Sequence, residues 1–207
     1  MSEPTAEIKD GKLVSGKVLD KRVAKIEHGI LQQVHALVVQ QSGAPTAESS
    51  FQSYKSGKAV AHFLIEKDGV IYQTARVDRK CWHVGNISSR CSILKTCSPD
   101  ELATIKAILF KKGEAYSTRI KNLSRHEADK SYPERYPSNE DALGIELVGN
   151  FSEGRGYETV TDYQNLSLHW LVAFLEQQFG ISDTDVYRHP EVSYKQASEA
   201  ATARWSK

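Results

Sequence analysis

Two short apolar runs constrain this chain more than any other feature. Val34-His35-Ala36-Leu37-Val38-Val39-Gln40 and Leu143-Gly144-Ile145-Glu146-Leu147-Val148-Gly149 are rich in β-formers and mostly apolar. Such runs suit strands buried on both faces, and strands of that kind need cover on each side of their sheet. Two further β-type runs, Val60 to Ile65 and Val70 to Ala75, are joined through Asp68-Gly69, a hairpin signal.

Helical signals fall between these runs. After the Gly43-Ala44-Pro45 break, Thr46 to Tyr54 reads as a short helix. Ser98-Pro99-Asp100-Glu101 places a cap, a first-turn proline and a glutamate in the order that starts a helix. Leu102, Ile105, Ile108 and Leu109 follow at helical spacing and are expected to bury one face. Thr161 with Gln164 caps a long helix whose Leu168, Leu171, Val172, Leu175 and Phe179 form one stripe, ended by Gly180. Val186-Tyr187-Arg188 is a last short strand that delivers His189. The expected class is α/β, a central mixed β-sheet flanked by helices. Residues 1–33 are expected to form an N-terminal extension packed on a core domain of residues 34–207. The charged, Ser- and Pro-containing stretch 113–141 is expected to be a long surface loop.

The chain has 207 residues, enough for one well-buried domain. Lys and Arg total 27 against 26 Asp and Glu, a net charge of +1, which gives no electrostatic case for nucleic acid or an anionic membrane as partner. No apolar run approaches the ~20 residues of a membrane span. Met1-Ser2-Glu3-Pro4-Thr5 lacks the basic-then-apolar pattern of a signal peptide, so a chain made in the cytoplasm is expected. Cys91 and Cys97 are close enough to close a loop, but without an export signal reduced thiols are expected.

Three polar residues interrupt or end the apolar strands: Gln40, Glu146 and His189. A buried carboxylate needs a cation, a proton or a metal-bound water nearby; alternation would equally let Glu146 point to solvent from an edge strand. Glu199 lies ten positions after His189, so the two meet only if the intervening loop folds back. A histidine and an acid brought together in that way can be two protein ligands of an open catalytic zinc site; otherwise they are surface residues. Trp82-His83-Val84-Gly85 offers an aromatic and an imidazole as a wall for a sugar or peptide, or else a packed Trp beside a satisfied His.

In combination these stretches resemble the zinc-dependent N-acetylmuramoyl-L-alanine amidases of the type 2 amidase family, related to the peptidoglycan recognition proteins. The resemblance runs from about Val34 to Trp205. It rests on the first strand with Gly43-Ala44-Pro45-Thr46-Ala47-Glu48-Ser49, the hairpin from Ala61-His62-Phe63-Leu64-Ile65 to Ile71-Tyr72-Gln73, Trp82-His83-Val84-Gly85, Gly144-Ile145-Glu146-Leu147, and Tyr187-Arg188-His189-Pro190.

The resemblance implies hydrolysis of the amide between N-acetylmuramic acid and L-alanine in peptidoglycan or muropeptides. It implies zinc ligands at the positions of Gln40, His189 and Glu199, and Glu146 as the acid that positions or deprotonates water. A lysine near the third ligand stabilises the oxyanion in relatives; here Lys195 stands four before Glu199, and Ala197 holds the closer spacing. Trp82 and His83 become substrate-binding candidates. The chain departs from the pattern at Gln40, where the family places a histidine. A glutamine offers zinc only a neutral amide oxygen, so weak zinc and impaired cleavage are expected. The alternative is a zinc-free muropeptide-binding module on the same fold. The substrate polymer lies outside the cytoplasmic membrane, so dedicated secretion, lysis or turnover of imported muropeptides would have to bring enzyme and substrate together.

Overall fold

The computed structural model describes residues 6–57 and 60–206; Met1–Thr5, the stretch without an export pattern, lies outside the described residues. The N-terminal extension opens with a hairpin of β1 (Glu7–Lys9) and β2 (Lys12–Val14). It continues into β3 (Val18–Asp20), which joins the edge of the main sheet. That sheet also contains β4 (Ala36–Gly43), β5 (Phe63–Ile65), β6 (Ile71–Gln73), β7 (Ala142–Ser152) and β9 (Val186–Arg188). Its order is β3-β6-β5-β7-β4-β9, with a two-residue β8 (Gly156–Tyr157) folded back on β7. The β5–β6 and β7–β8 pairs are antiparallel and the others parallel, so the sheet is mixed.

Strand periodicity sorts the two faces. Leu37, Val39, Phe63, Ile65, Leu143, Ile145 and Leu147 lie in one core cluster with the stripe Leu168, Leu171, Val172 and Leu175. That stripe belongs to the long helix, whose capping box through Thr161 and Gln164 forms as its sequence indicates. The opposite face carries smaller clusters around Ala36, Val38 and Ala142, and around Leu64 and Val148. Gln40 and Glu146 point to this second face.

In chain order the helices are α1 (Ala47–Tyr54), α2 (Arg90–Leu94), α3 (Pro99–Leu109), α4 (Tyr116–Ala128), α5 (Asp162–Phe179) and the single turn α6 (His189–Val192). Thr46 and Ser98 cap α1 and α3, each accepting from the backbone N–H three residues on.

Three expectations need correction. The stretch 113–141 is not a loop throughout, because α4 occupies its middle. This helix is anchored by only Ile120 and Leu123 with the aliphatic stem of Glu127, too few apolar positions to stand out among its charges. Of the α3 stripe only Ile105 is fully buried; Leu102, Ile108 and Leu109 are half-exposed, because α3 packs chiefly against α4 and not on the sheet. Cys91 and Cys97 are paired in a disulfide rather than reduced. Lys95 adopts a left-handed conformation (φ 58°) at the end of α2, and Thr96 donates back to the Cys91 carbonyl, which brings the two Cα atoms to 4.7 Å.

Gly144 is demanded by close approach. A Cβ at Gly144 would lie 2.7 Å from the His83 ring, so β7 can pass over that imidazole only without a side chain. His83 and its neighbour His62 are both buried, their rings edge-to-face at 5.5 Å. His62 accepts at Nδ1 from the Gly144 N–H and donates at Nε2 to the Arg79 carbonyl, so it is satisfied as a neutral ring. Burial lowers its pKa to about 4, and burial together with the His62 ring holds His83 well below the ordinary range. A histidine depressed in this way contributes stability that is complete above about pH 6.5 and is lost as pH falls through the folded value. Ring nitrogen NMR should therefore show His62 neutral from pH 8 down to pH 5; a midpoint near 6.5 would contradict its buried, neutral role.

Candidate active site

Parallel register places the site. Gln40 pairs with Glu146 across β4 and β7, and Val39 pairs with Arg188 across β4 and β9. Gln40 and His189 are each the next residue along. Three adjacent strands thus deliver Glu146, Gln40 and His189 side by side, the first two from mid-strand and His189 from just past the end of β9. All three are buried, with exposures of 6%, 5% and 2%, so each must find a partner.

Glu146 sits in a central strand, not at an edge. Gln40 donates from Nε2 to its Oε1 at 3.2 Å, and the Tyr54 hydroxyl donates to its Oε2. Burial lifts the Glu146 carboxyl to about 7; the Tyr54 and Gln40 donors pull it down, and the Glu199 charge adds to the rise. The result is a carboxylate that exchanges a proton near neutral pH with both oxygens held in place.

His189 and Glu199 do converge. Glu199 is 4% exposed, and its Oε1 lies 2.9 Å from His189 Nδ1. The other ring nitrogen, Nε2, lies 2.8 Å from the Val84 carbonyl, which can only accept. A neutral imidazole has one N–H, so with Nε2 donating, the Nδ1 lone pair faces a carboxylate oxygen. That contact is repulsive unless a proton or a cation lies between the two. Anchoring of Nε2–H on a carbonyl is also how ligating histidines are oriented toward metals.

The remaining corner is Gln40. With Nε2 committed to Glu146, its Oε1 is buried and has no hydrogen-bond partner. An orphaned amide oxygen, an imidazole and a carboxylate are donors of the kinds that hold a divalent cation, with Gln40 the weakest of them. Among the described residues, a further group of His and acidic side chains of metal-ligand type is Glu101, His126 and Glu127 on α3 and α4. There the Lys130 ammonium already bridges the two glutamates, so the group serves as an ion-pair network joining the helices.

The paired expectation for Trp82 and His83 divides. Trp82 is 53% exposed and stacks on His28 with centroids 3.8 Å apart. His83 is 2% exposed beneath β7, with Nε2 on the Ala142 carbonyl, so it offers no face to a ligand and is corrected to a packing residue. Lys195 is exposed and its Cε lies 3.9 Å from where a Cβ on Gly85 would be.

Tyr54, Gln41 and Arg188 shape the site without having been singled out in the sequence. Tyr54 closes the buried face of α1, where Ala47, Ser50 and Tyr54 follow helical spacing, a pattern that marks burial but not its partner. Gln41 accepts from the Ala200 N–H at 2.8 Å and donates to the Glu158 carbonyl at 2.9 Å. Arg188 donates to the carbonyls of Ala200 and Ala203. Together they tie the returning loop, and with it Glu199, to β4 and β9. Gln41→Ala would strand a buried N–H and a carbonyl, so it should lower unfolding free energy by about 1–3 kcal/mol. Urea denaturation checks this, and a change below about 0.5 kcal/mol would show that Gln41 does not hold the loop.

The comparisons with known proteins bear on the family and the fold. The family model of N-acetylmuramoyl-L-alanine amidase, Amidase_2, matches residues 31–205. No curated protein matches. Among solved structures, a selenomethionine derivative of AmpD is 18% identical, covers 92% of this chain and 89% of its own, and superposes with a TM-score of 0.54. PlyL is 13% identical, with coverage of 86% and 84% and a TM-score of 0.52. The E. coli N-acetylmuramyl-L-alanine amidase AmiD, in complex with anhydro-N-acetylmuramic acid-L-Ala-D-gamma-Glu-L-Lys, is 14% identical, with coverage of 90% and 57% and a TM-score of 0.49. At these identities the first two show the common fold, a mixed sheet flanked by helices. The match over residues 31–205 assigns the chain to the N-acetylmuramoyl-L-alanine amidase family.

Proposed function

We propose that this chain hydrolyses the amide between N-acetylmuramic acid and L-alanine of peptidoglycan or muropeptides, with zinc held weakly by His189, Glu199 and Gln40. The observation that carries this reading is the facing of His189 Nδ1 and Glu199 Oε1 at 2.9 Å, beside the orphaned Gln40 oxygen and the poised Glu146. When bound there, the metal supplies a Lewis acid that acidifies water and polarises the amide carbonyl.

The residues supply the rest. Glu146, with its carboxyl near 7, accepts the proton of the attacking water and returns it to the departing alanine amine. The C–N bond breaks, leaving the lactyl carboxylate on the sugar and a free amino group on the peptide. Tyr54 and Gln40 fix both Glu146 oxygens, so no rotamer search precedes proton transfer. Lys195 is proposed as the cation that meets the developing oxyanion, and Trp82 as part of the substrate wall. A second reading, a muropeptide-binding module without zinc, is favoured by the amide at position 40. Among the described residues no helix is long and apolar enough to cross a membrane.

Metal analysis after dialysis against a mild chelator tests Gln40 as the third corner of the metal site. Wild type should retain well under one zinc per chain, and Gln40→His should raise this toward one, since imidazole replaces a neutral oxygen. Unchanged occupancy in Gln40→His would overturn the placement of Gln40 as the third corner.

A further inference from the structure

The hairpin that extends β7 into β8 carries two aromatic rings that the amide chemistry does not use. Phe151 and Tyr157 are registered partners, with ring centroids 5.1 Å apart and planes tilted by 55°. Phe151 is 41% exposed and Tyr157 is half-buried. Solitary exposed aromatics need no explanation, but this pair is braced by the site itself.

The Tyr157 N–H donates to Ser198 Oγ at 3.3 Å, and Ser198 immediately precedes Glu199. A Cβ at Gly156 would lie 2.5 Å from the same Ser198 oxygen, so the glycine lets β8 close down on the Glu199 loop. On the other side, Phe151 Cβ is 4.0 Å from the Cβ position of Gly43, three residues beyond Gln40. The hairpin that bears the rings therefore packs on the two segments that carry Gln40 and Glu199. Burial, then the charges of Glu199 and Glu146, hold the Tyr157 phenol up to about 12, which places it within the field of both site carboxylates.

We propose that Phe151 and Tyr157 form the sugar-binding rim of the site, taking the C–H face of the N-acetylmuramic acid ring; this rests on the function proposed above. The electron-rich face of an aromatic ring complements a weakly positive C–H surface, and an aromatic wall with few polar groups is typical of ligand sites. Charge selects the sugar over the peptide. The muramyl ring is neutral once its lactyl carboxyl is amide-linked and needs no cation beside it, whereas the stem peptide bears carboxylates. Those carboxylates are better met by the exposed Lys195 ammonium above Gly85. The two ends of the scissile amide are thereby assigned to opposite sides.

NMR titration of the full chain tests this with two probes that lack the scissile amide: N-acetylmuramic acid methyl ester and the dipeptide L-alanyl-D-isoglutamine. Tyr157→Ala and Phe151→Leu should each weaken the sugar probe about five- to tenfold, as expected for a lost ring contact, and leave the dipeptide within about twofold. Phe151→Leu keeps apolar bulk at an exposed position, so the outcome does not hang on whether Tyr157→Ala folds. Equal losses for both probes, an unchanged sugar affinity in both variants, or no saturable sugar binding by wild type would overturn the proposal. Cleavage of intact muropeptide by wild type bears on the amidase reading alone, because neither probe contains the bond it cuts.

Discussion

The parallel register of β7, β4 and β9 is the constraint on which the rest of this structure depends. It sets Glu146, Gln40 and His189 in one buried row, and a one-residue slip of any strand would turn its polar group into the α5 core. Burial makes the row demanding. Each member must be answered by another polar group, and the answers are specific: Tyr54 and Gln40 for Glu146, Glu199 and the Val84 carbonyl for His189. The Gln40 oxygen is left over.

Around this row the fold works to limit motion. Gln41 and Arg188, alternating with the row on their strands, reach the C-terminal loop from the other face of the sheet. The loop carrying Glu199 therefore inherits the position of β4 and β9, although it has no regular structure of its own beyond turns. On the opposite side of the row, Gly144 lets the His83 ring pack against β7, and His62 bonds the Gly144 backbone directly. Burial holds both histidines neutral there.

Much of this was legible in the sequence because it follows from periodicity and capping. The buried strands, the hairpin through Asp68-Gly69 and the Thr161–Gln164 capping box are local patterns, and they formed where those patterns lie. The convergence of His189 and Glu199 was legible only through the family resemblance, since spacing does not say that a loop returns. What was not legible depends on contacts between distant segments. Tyr54 reads as an ordinary buried helix residue until β7 is beside it. His83 reads as a ligand wall until Gly144 closes over it. The helix α4 hides because two aliphatic residues and one buried glutamate stem are its only inward anchors. The Cys91–Cys97 pairing followed from a left-handed residue at Lys95 that a lysine does not advertise.

The central claim is that this buried row cuts an amide and does not merely hold one. Mass spectrometry of muropeptides incubated with zinc-supplemented protein tests it directly. The account predicts free stem peptides with a new N-terminal L-alanine, and a loss of about 10²–10⁴-fold in their release for Glu146→Gln, which keeps the side chain's size but turns one acceptor oxygen into a donor and cannot take a proton. Muropeptide that binds wild type yet is recovered intact, at any zinc concentration, would contradict it.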